Sequence, residues 1–326
     1  MPVKVIKNLP AIEILQDENI FVMDSDRART QQIRPLNLLV VNLMPRKQVT
    51  ETQLLRLLSN TPIQVNVDLL YTTTHEVKNT QQGHLDSFYK AFDEIKLRFY
   101  DGMIVTGAPV ETLAFEEVDY WTELLKIFEW SKSHVYSTLH ICWGAQAGLY
   151  ARYGIDKVEL PRKLCGIYEN SVENPQHVLF RGFDDSFRCP HSRYTASNLD
   201  LTALPNFEIL SKSTEAGLSV LSKKNLREVY VFGHLEYERD TLSWEYERDK
   251  VAGLQPDLPA HYFPDDDDQK RPRMSWASAA SLFFSNWLNY AVYQGTPYIA
   301  ARLAEHPESD YDFNLYNMTS ADCAAL

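Results

Sequence analysis

The sequence predicts an α/β protein: a mostly parallel sheet with helices packed on both faces. Two observations carry that expectation. Leu36 to Met44 (LNLLVVNLM) is a continuous apolar run between Pro35 and Pro45. Rich in Leu and Val and too short for a typical helix, it reads as a strand buried on both faces. Beyond it, short apolar runs alternate with segments of helical period, the pattern of parallel strands joined by crossover helices.

The elements follow in order. Residues 1–33 are polar and mixed and read as an N-terminal arm. Thr50 to Leu58 has helical spacing, and Thr50-x-x-Gln53 resembles a capping box at its start. Ile63 to Tyr71 alternates like a strand, Leu85 to Ile95 is helical in period, and Gly102 to Thr106 is a short strand. Val118, Trp121, Leu124, Leu125 and Phe128 share one helical face. Val135 to Ile141 reads as a strand and Trp143 to Arg152 as a helix. Later come strands at Phe207 to Ser211, Leu218 to Leu221 and Val229 to Gly233, then helices at Asp240 to Val251 and Ser275 to Tyr293. No repeat or low-complexity linker interrupts the chain. Residues 34–297 are therefore expected to form one catalytic domain, with 298–326 as a C-terminal tail.

Composition narrows the function. With 326 residues, 44% of them hydrophobic, the chain can bury one large core or two modest ones. It has no run of ~18 apolar residues to span a bilayer, and MPVKVIKNLPAIEIL lacks the apolar core of a secretory signal, so no membrane partner is expected. The net charge of -12 argues against nucleic acid, which needs clustered Lys and Arg. Asp265 to Asp268, followed by Lys270, Arg271 and Arg273, reads as a solvated loop rather than a metal site. The four cysteines (Cys142, Cys165, Cys189, Cys323) are too scattered for a disulfide framework and form no CxxC pair. A reducing cytoplasm suits them, and there a thiol is free to act as a nucleophile.

Open parallel sheets place their ligands at the carboxyl ends of the strands. Three such ends stand out: Thr106 onward, Cys142 and His234. Cys142 lies where a strand stops and a helix of small residues (GAQAGLYA) starts. Such an elbow needs small neighbours, which Gly144, Ala145 and Ala147 supply. The helix start brings a positive dipole end and unpaired N–H groups suited to a thiolate and an oxyanion. His140, two residues earlier and inside the strand, reads as a packed, hydrogen-bonded imidazole rather than a base. Beyond the strand VYVFG, His234 and Glu236 would point to the same side if strand geometry persisted. A histidine oriented by a carboxylate is the recurring partner of a cysteine nucleophile. Cys189 and His191 lack further ligands at suitable spacing, so neither a metal nor a second dyad is expected.

These residues carry a resemblance. ICWGAQAG with GHLEYE, together with VNLMPRKQVTETQLLRLLSNTP, VTGAPVETLAFEEVDYW, KLCGIY and CPHSRY, resembles the homoserine O-acyltransferases of methionine synthesis over roughly residues 1–295. That family is similar in fold to the class I glutamine amidotransferases, on a flavodoxin-like sheet, and uses a Cys-His-Glu triad. The resemblance implies Cys142 as the acyl-thioester nucleophile, His234 as proton acceptor and Glu236 as its partner. It also implies that Lys163, Ser192 and Arg248 line the substrate site, although this chain runs one residue short of the family register between Ser192 and His234. Arg248 is placed to offer a donor fork to the carboxylate of homoserine. N–H groups of Val110 and Trp143 are expected to hold the oxyanion.

The resemblance further implies that residue 111 chooses the acyl donor, Gly leaving room for succinyl and Glu favouring acetyl. Two carboxylates ~4 Å apart repel by about 4 kcal/mol at an effective dielectric near 20, on the order of a thousandfold discrimination. Glu111 thus points to acetyl-CoA as co-substrate and L-homoserine as acceptor, with no cofactor and no metal, in a cytoplasmic enzyme whose family members tend to be dimers. Succinyl transfer, a glutamine amidotransferase-like hydrolase and a non-catalytic sensor on the same fold are the rival readings.

Overall fold

The computed structural model describes residues 3–4, 9–17, 34–74, 82–199, 202, 204–297 and 300–305. In chain order the elements are β1 (Val3–Lys4), α1 (Ala11–Asp17), β2 (Leu36–Val41), α2 (Lys47–Leu58), β3 (Val65–Leu70), α3 (Gln82–Phe88), β4 (Tyr89–Lys90), α4 (Phe92–Ile95), β5 (Tyr100–Val105), α5 (Trp121–His134), β6 (Val135–Ile141) and α6 (Trp143–Tyr153). A strand-rich stretch follows: β7 (Lys157–Val172), β8 (Ser186–Ser197), β9 (Phe207–Ser213), β10 (Gly217–Lys223) and β11 (Glu228–Val231). Helices α7 (Thr241–Val251) and α8 (Ala277–Asn286) follow, and a π-helical stretch, Trp287–Tyr293, extends α8.

All eleven described strands join one sheet, in the order β1-β3-β2-β5-β6-β11-β10-β9-β7-β8, with β4 added to β3. From β1 to β11 every pairing is parallel, and from β11 onward every pairing is antiparallel. The mostly parallel sheet read from the sequence is therefore present, with an antiparallel extension along one side.

The alternation of side chains along β2 shows why helices cover both faces. Leu36, Leu38 and Val40 enter one core with Leu54, Leu55 and Leu58 of α2 and Phe283 and Phe284 of α8. Leu39 and Val41 enter another with Trp121, Leu124, Ile127 and Phe128 of α5. Strands β5 and β6, at the centre, are buried at every residue. Their registers bring Val105 opposite His140 and Ile141 opposite Val231, so β5, β6 and β11 end at one level. Among the described residues no helix is long and apolar enough to cross a membrane.

Several expected elements differ. The N-terminal arm of residues 1–33 contributes to the fold: β1 pairs with β3, and α1 buries Leu15 in the core with α2; residues 18–33 lie outside the described ones. Helix α2 starts three residues before Thr50, so the capping box does not form; Thr50 Oγ1 back-bonds to Arg46 O and Gln53 reaches Thr241. The helical stretch expected over Leu85 to Ile95 is broken by β4, because Tyr89–Lys90 pair with Leu69–Leu70 and Lys90 meets Asp68. The β7–β8 hairpin escaped sequence reading because half-exposed, charged β7 has no clean apolar period. Of the tail 298–326, residues 300–305 form a short 3-10 turn, and residues 306–326 lie outside the described ones.

Candidate active site

Cys142 occupies a strained turn between β6 and α6. Its backbone is at φ 51°, ψ -115°, a region few non-glycine residues enter. The turn closes because the Cys142 N–H donates to Val231 O at 2.7 Å and its carbonyl accepts from Ala145 and Gln146 at 2.9 and 3.2 Å. Gly144 is required: a Cβ there would lie 2.6 Å from Thr106 O and 2.8 Å from Val105 O. Ala145 and Ala147 are fully buried beside it. Contact with the end of β5 thus explains the glycine, while Ala145 belongs to a core with Tyr230 and Phe232 and Ala147 to one with Val105 and Trp143.

His234 comes beside Cys142 by a route the sequence reading did not foresee. Strand geometry stops at Val231, and residues 232–236 run through a bend and turn. That turn still brings His234 Nδ1 to within 2.7 Å of Glu236 Oε1, leaving Nε2 for the sulfur. The imidazole is close enough to Cys142 for the two groups to act on each other's charge. Its N–H on the main chain donates to Pro190 O at 2.7 Å, and a Cβ on Gly233 would sit 2.9 Å from the same carbonyl. At Gly107, a Cβ would come within 3.3 Å of His234 Cε1 and 3.4 Å of the Cys142 Cβ. Thus the ends of β5, β6 and β11 converge on one point. Burial alone would disfavour an imidazolium at His234; a Cys142 thiolate and the Glu236 carboxylate outweigh it and hold the pKa well above the ordinary value.

The other candidates sort clearly. His140 is buried and stacked on Tyr230 with ring centroids 4.7 Å apart, and burial pushes its pKa down to about 3, so it stays neutral. Burial pushes the Cys165 thiol up to about 12 and raises Cys189 as well. Cys323 lies outside the described residues. No group of three or more potential ligands that could hold a metal occurs among the described residues.

A second cluster lies beside Cys142, His234 and Glu236. Lys163 Nζ donates to Asp249 Oδ2 at 2.8 Å and stands 3.7 Å from Glu245 Oε2, which also accepts from the Ser192 hydroxyl. Burial works against the Lys163 charge, but these two carboxylates raise its pKa and keep it an ammonium. Arg248 is more exposed, and its Nε and Nη2 are engaged by Asp249 Oδ1 at 2.8 and 2.7 Å. Glu245 links the two clusters through Tyr237, whose hydroxyl donates to Glu245 Oε1 at 2.8 Å and whose ring stacks on His234. Sequence reading missed Glu245, Asp249 and Tyr237. For the two carboxylates the signal was spacing: Glu245 and Asp249 are one helical turn apart on α7 and flank the singled-out Arg248.

Glu111 is half-buried in the segment after β5, and burial raises its pKa against the opposing pull of Lys163. Val110, also half-buried, packs into the same core as Trp143. Trp143 opens α6, and its ring is buried among Phe115, Tyr120 and Trp121.

The strand order and the elbow define a class: a class I glutamine amidotransferase-like fold with a cysteine at the carboxyl end of a central strand. A glutamine amidotransferase structure from Thermotoga maritima superimposes with a TM-score of 0.51 at 13% identity, over 80% of this chain and 99% of that one. Within that class, the homoserine O-succinyltransferase family profile matches residues 2–298, and the chain belongs to that family. Among its relatives, a homoserine O-acetyltransferase of Lactococcus lactis subsp. lactis is 69% identical over 96% of this chain and 98% of its own. One of Streptococcus thermophilus is 57% identical over 97% of this chain and 100% of its own.

Proposed function

We propose that this protein transfers an acetyl group from acetyl-CoA to the hydroxyl of L-homoserine through a thioester on Cys142, in the cytoplasm. The observation that carries the reading is the Cys142–His234–Glu236 relay, with its 2.7 Å histidine–carboxylate bond, set against a cluster of cations and carboxylates fit for a zwitterion. The names of the relatives, homoserine O-acetyltransferases, support the same substrates.

The cycle follows from the charges. In the free enzyme the thiolate and imidazolium stabilise one another. The thiolate attacks the thioester carbonyl, and the N–H groups of Trp143 and Val110 hold the oxyanion. Collapse expels the CoA thiolate, which takes the proton from His234. The new thioester carries no charge, so one of the two negative charges that favoured the imidazolium is gone, and the imidazole is free to act as a neutral base. It then accepts the homoserine hydroxyl proton as that oxygen attacks. Collapse of the second intermediate returns the Cys142 thiolate and releases O-acetyl-L-homoserine.

The acceptor cluster suits the other end of homoserine. Asp249 is neutralised by Lys163 and Arg248. Glu245 is bound by two neutral hydroxyls and by Lys163 at longer range, which leaves it the better partner for the substrate ammonium. Lys163 and the free edge of Arg248 suit the carboxylate. The Glu111 carboxylate, already disfavoured by burial, opposes a second carboxylate on the donor.

The test is CoA release from acetyl-CoA and from succinyl-CoA, with and without homoserine. Acetyl-CoA should be preferred by on the order of a thousandfold, and Glu111→Gly should reduce that preference at least tenfold. Equal use of both donors by the natural protein would overturn the donor assignment, and ammonia release from glutamine without acetyl-CoA turnover would overturn the reaction.

A further inference from the structure

Tyr237 joins the base to the acceptor cluster. Its ring lies on the His234 imidazole, centroids 4.0 Å apart and planes 19° from parallel. Its hydroxyl donates to Glu245 Oε1, and the other oxygen of Glu245 accepts from Ser192 and faces Lys163. The Tyr237 main chain is held separately, its N–H donating to His234 O at 3.2 Å and its carbonyl accepting from the Trp276 indole at 2.9 Å. Both Tyr237 and His234 are buried, so water has no ready access to replace the phenol–carboxylate bond.

We propose that Tyr237 is a positioning residue that couples occupation of the acceptor site to the alignment of His234. An ammonium bound at Glu245 fixes that carboxylate, the carboxylate fixes the phenol, and the ring stacked on the imidazole limits its rotation away from the acceptor hydroxyl. Proton transfer depends on such alignment within fractions of an ångström. The acceptor thereby completes the geometry that activates its own hydroxyl, while water, lacking the ammonium, does not. The inference rests on the acyl-transfer reading above.

The experiment compares two acceptors in single-turnover transfer from the acetylated protein: L-homoserine, and 4-hydroxybutyrate, which keeps the hydroxyl and carboxylate but lacks the ammonium. Saturating rates and half-saturating concentrations are read separately. In the natural protein homoserine should transfer at least tenfold faster at saturation, beyond any difference in affinity. In Tyr237→Phe, which keeps the ring and removes the bond to Glu245, that rate ratio should fall to within about twofold of one. A structural role alone would slow both acceptors equally and leave the ratio unchanged, which would overturn the proposal, as would a ratio near one in the natural protein. Should the phenylalanine variant not fold, a fluorotyrosine placed at 237 changes the acidity of the hydroxyl while keeping the ring, and an unmoved ratio there is equally fatal. If the protein is never acetylated, or transfers to neither acceptor, it is the acyl-transfer reading that fails.

Discussion

Replacing Gly144 by alanine sets two physical effects against each other. Alanine is the better helix former by roughly 1 kcal/mol, and Gly144 is the second residue of α6. Against that gain stand two main-chain oxygens, Thr106 O at 2.6 Å and Val105 O at 2.8 Å from the new methyl carbon. Ordinary contact begins near 3.4 Å, so the start of α6 must move from the end of β5 by somewhat more than half an ångström. Overpacking of this kind costs about 1–3 kcal/mol, enough to outweigh the propensity gain. The shift falls on the residues flanking Cys142, and a misplacement approaching 1 Å lowers turnover by about a hundredfold. Steady-state release of CoA with acetyl-CoA and homoserine, paired with thermal melts, reads both consequences. Gly83→Ala in α3 is the control, since nothing lies within 4 Å of a Cβ there. A Gly144→Ala protein that turns over at the natural rate, with no lower melting temperature, would refute the account of the elbow.

Glu236→Gln keeps a side chain of the same length beside His234 but removes a charge at hydrogen-bond range; kcat should fall by about 100- to 1000-fold, with the KM for homoserine changed less than about threefold, and a kcat near the natural value would show that the carboxylate is not needed. His140 titrates near 6.5 when unfolded and about 3 when folded, so the stability it supports is full above pH 6.5 and lost as pH falls toward 3. By pH 5 that loss is about 2 kcal/mol. Urea melts should therefore show the natural protein losing about 2 kcal/mol more than His140→Phe between pH 7 and pH 5, whereas equal losses would place the histidine in water.

Much of the parallel core was legible because burial on both faces leaves a plain signature. Val135 to Ile141, buried throughout, was read with its observed bounds, and the apolar run Leu36 to Met44 gave β2, which ends three residues earlier at Val41. The elbow at Cys142 was legible for a related reason: Gly144 and the alanines after it mark the tight passage from strand to helix. The pairing of His234 with Glu236 was reached through strand alternation, yet a turn produces it, so spacing of two served where the geometry assumed did not. The β7–β8 hairpin, which carries Lys163 and Ser192, was invisible as secondary structure because β7 alternates between half-exposed and exposed along most of its length. Those two residues were found through family resemblance alone. Tyr237 was missed because its bond to Glu245 crosses between elements, the turn after β11 against α7, which no local pattern encodes.

The central claim is that the sulfur of Cys142 carries the acyl group between the two substrates. Its most direct test is to mix the protein with acetyl-CoA alone, quench in acid and measure peptide masses. One acetyl mass should appear on the peptide containing Cys142, with none on the half-buried Cys165 or the buried Cys189, and adding L-homoserine before the quench should remove it. Turnover of both substrates with no adduct on Cys142 would contradict the account.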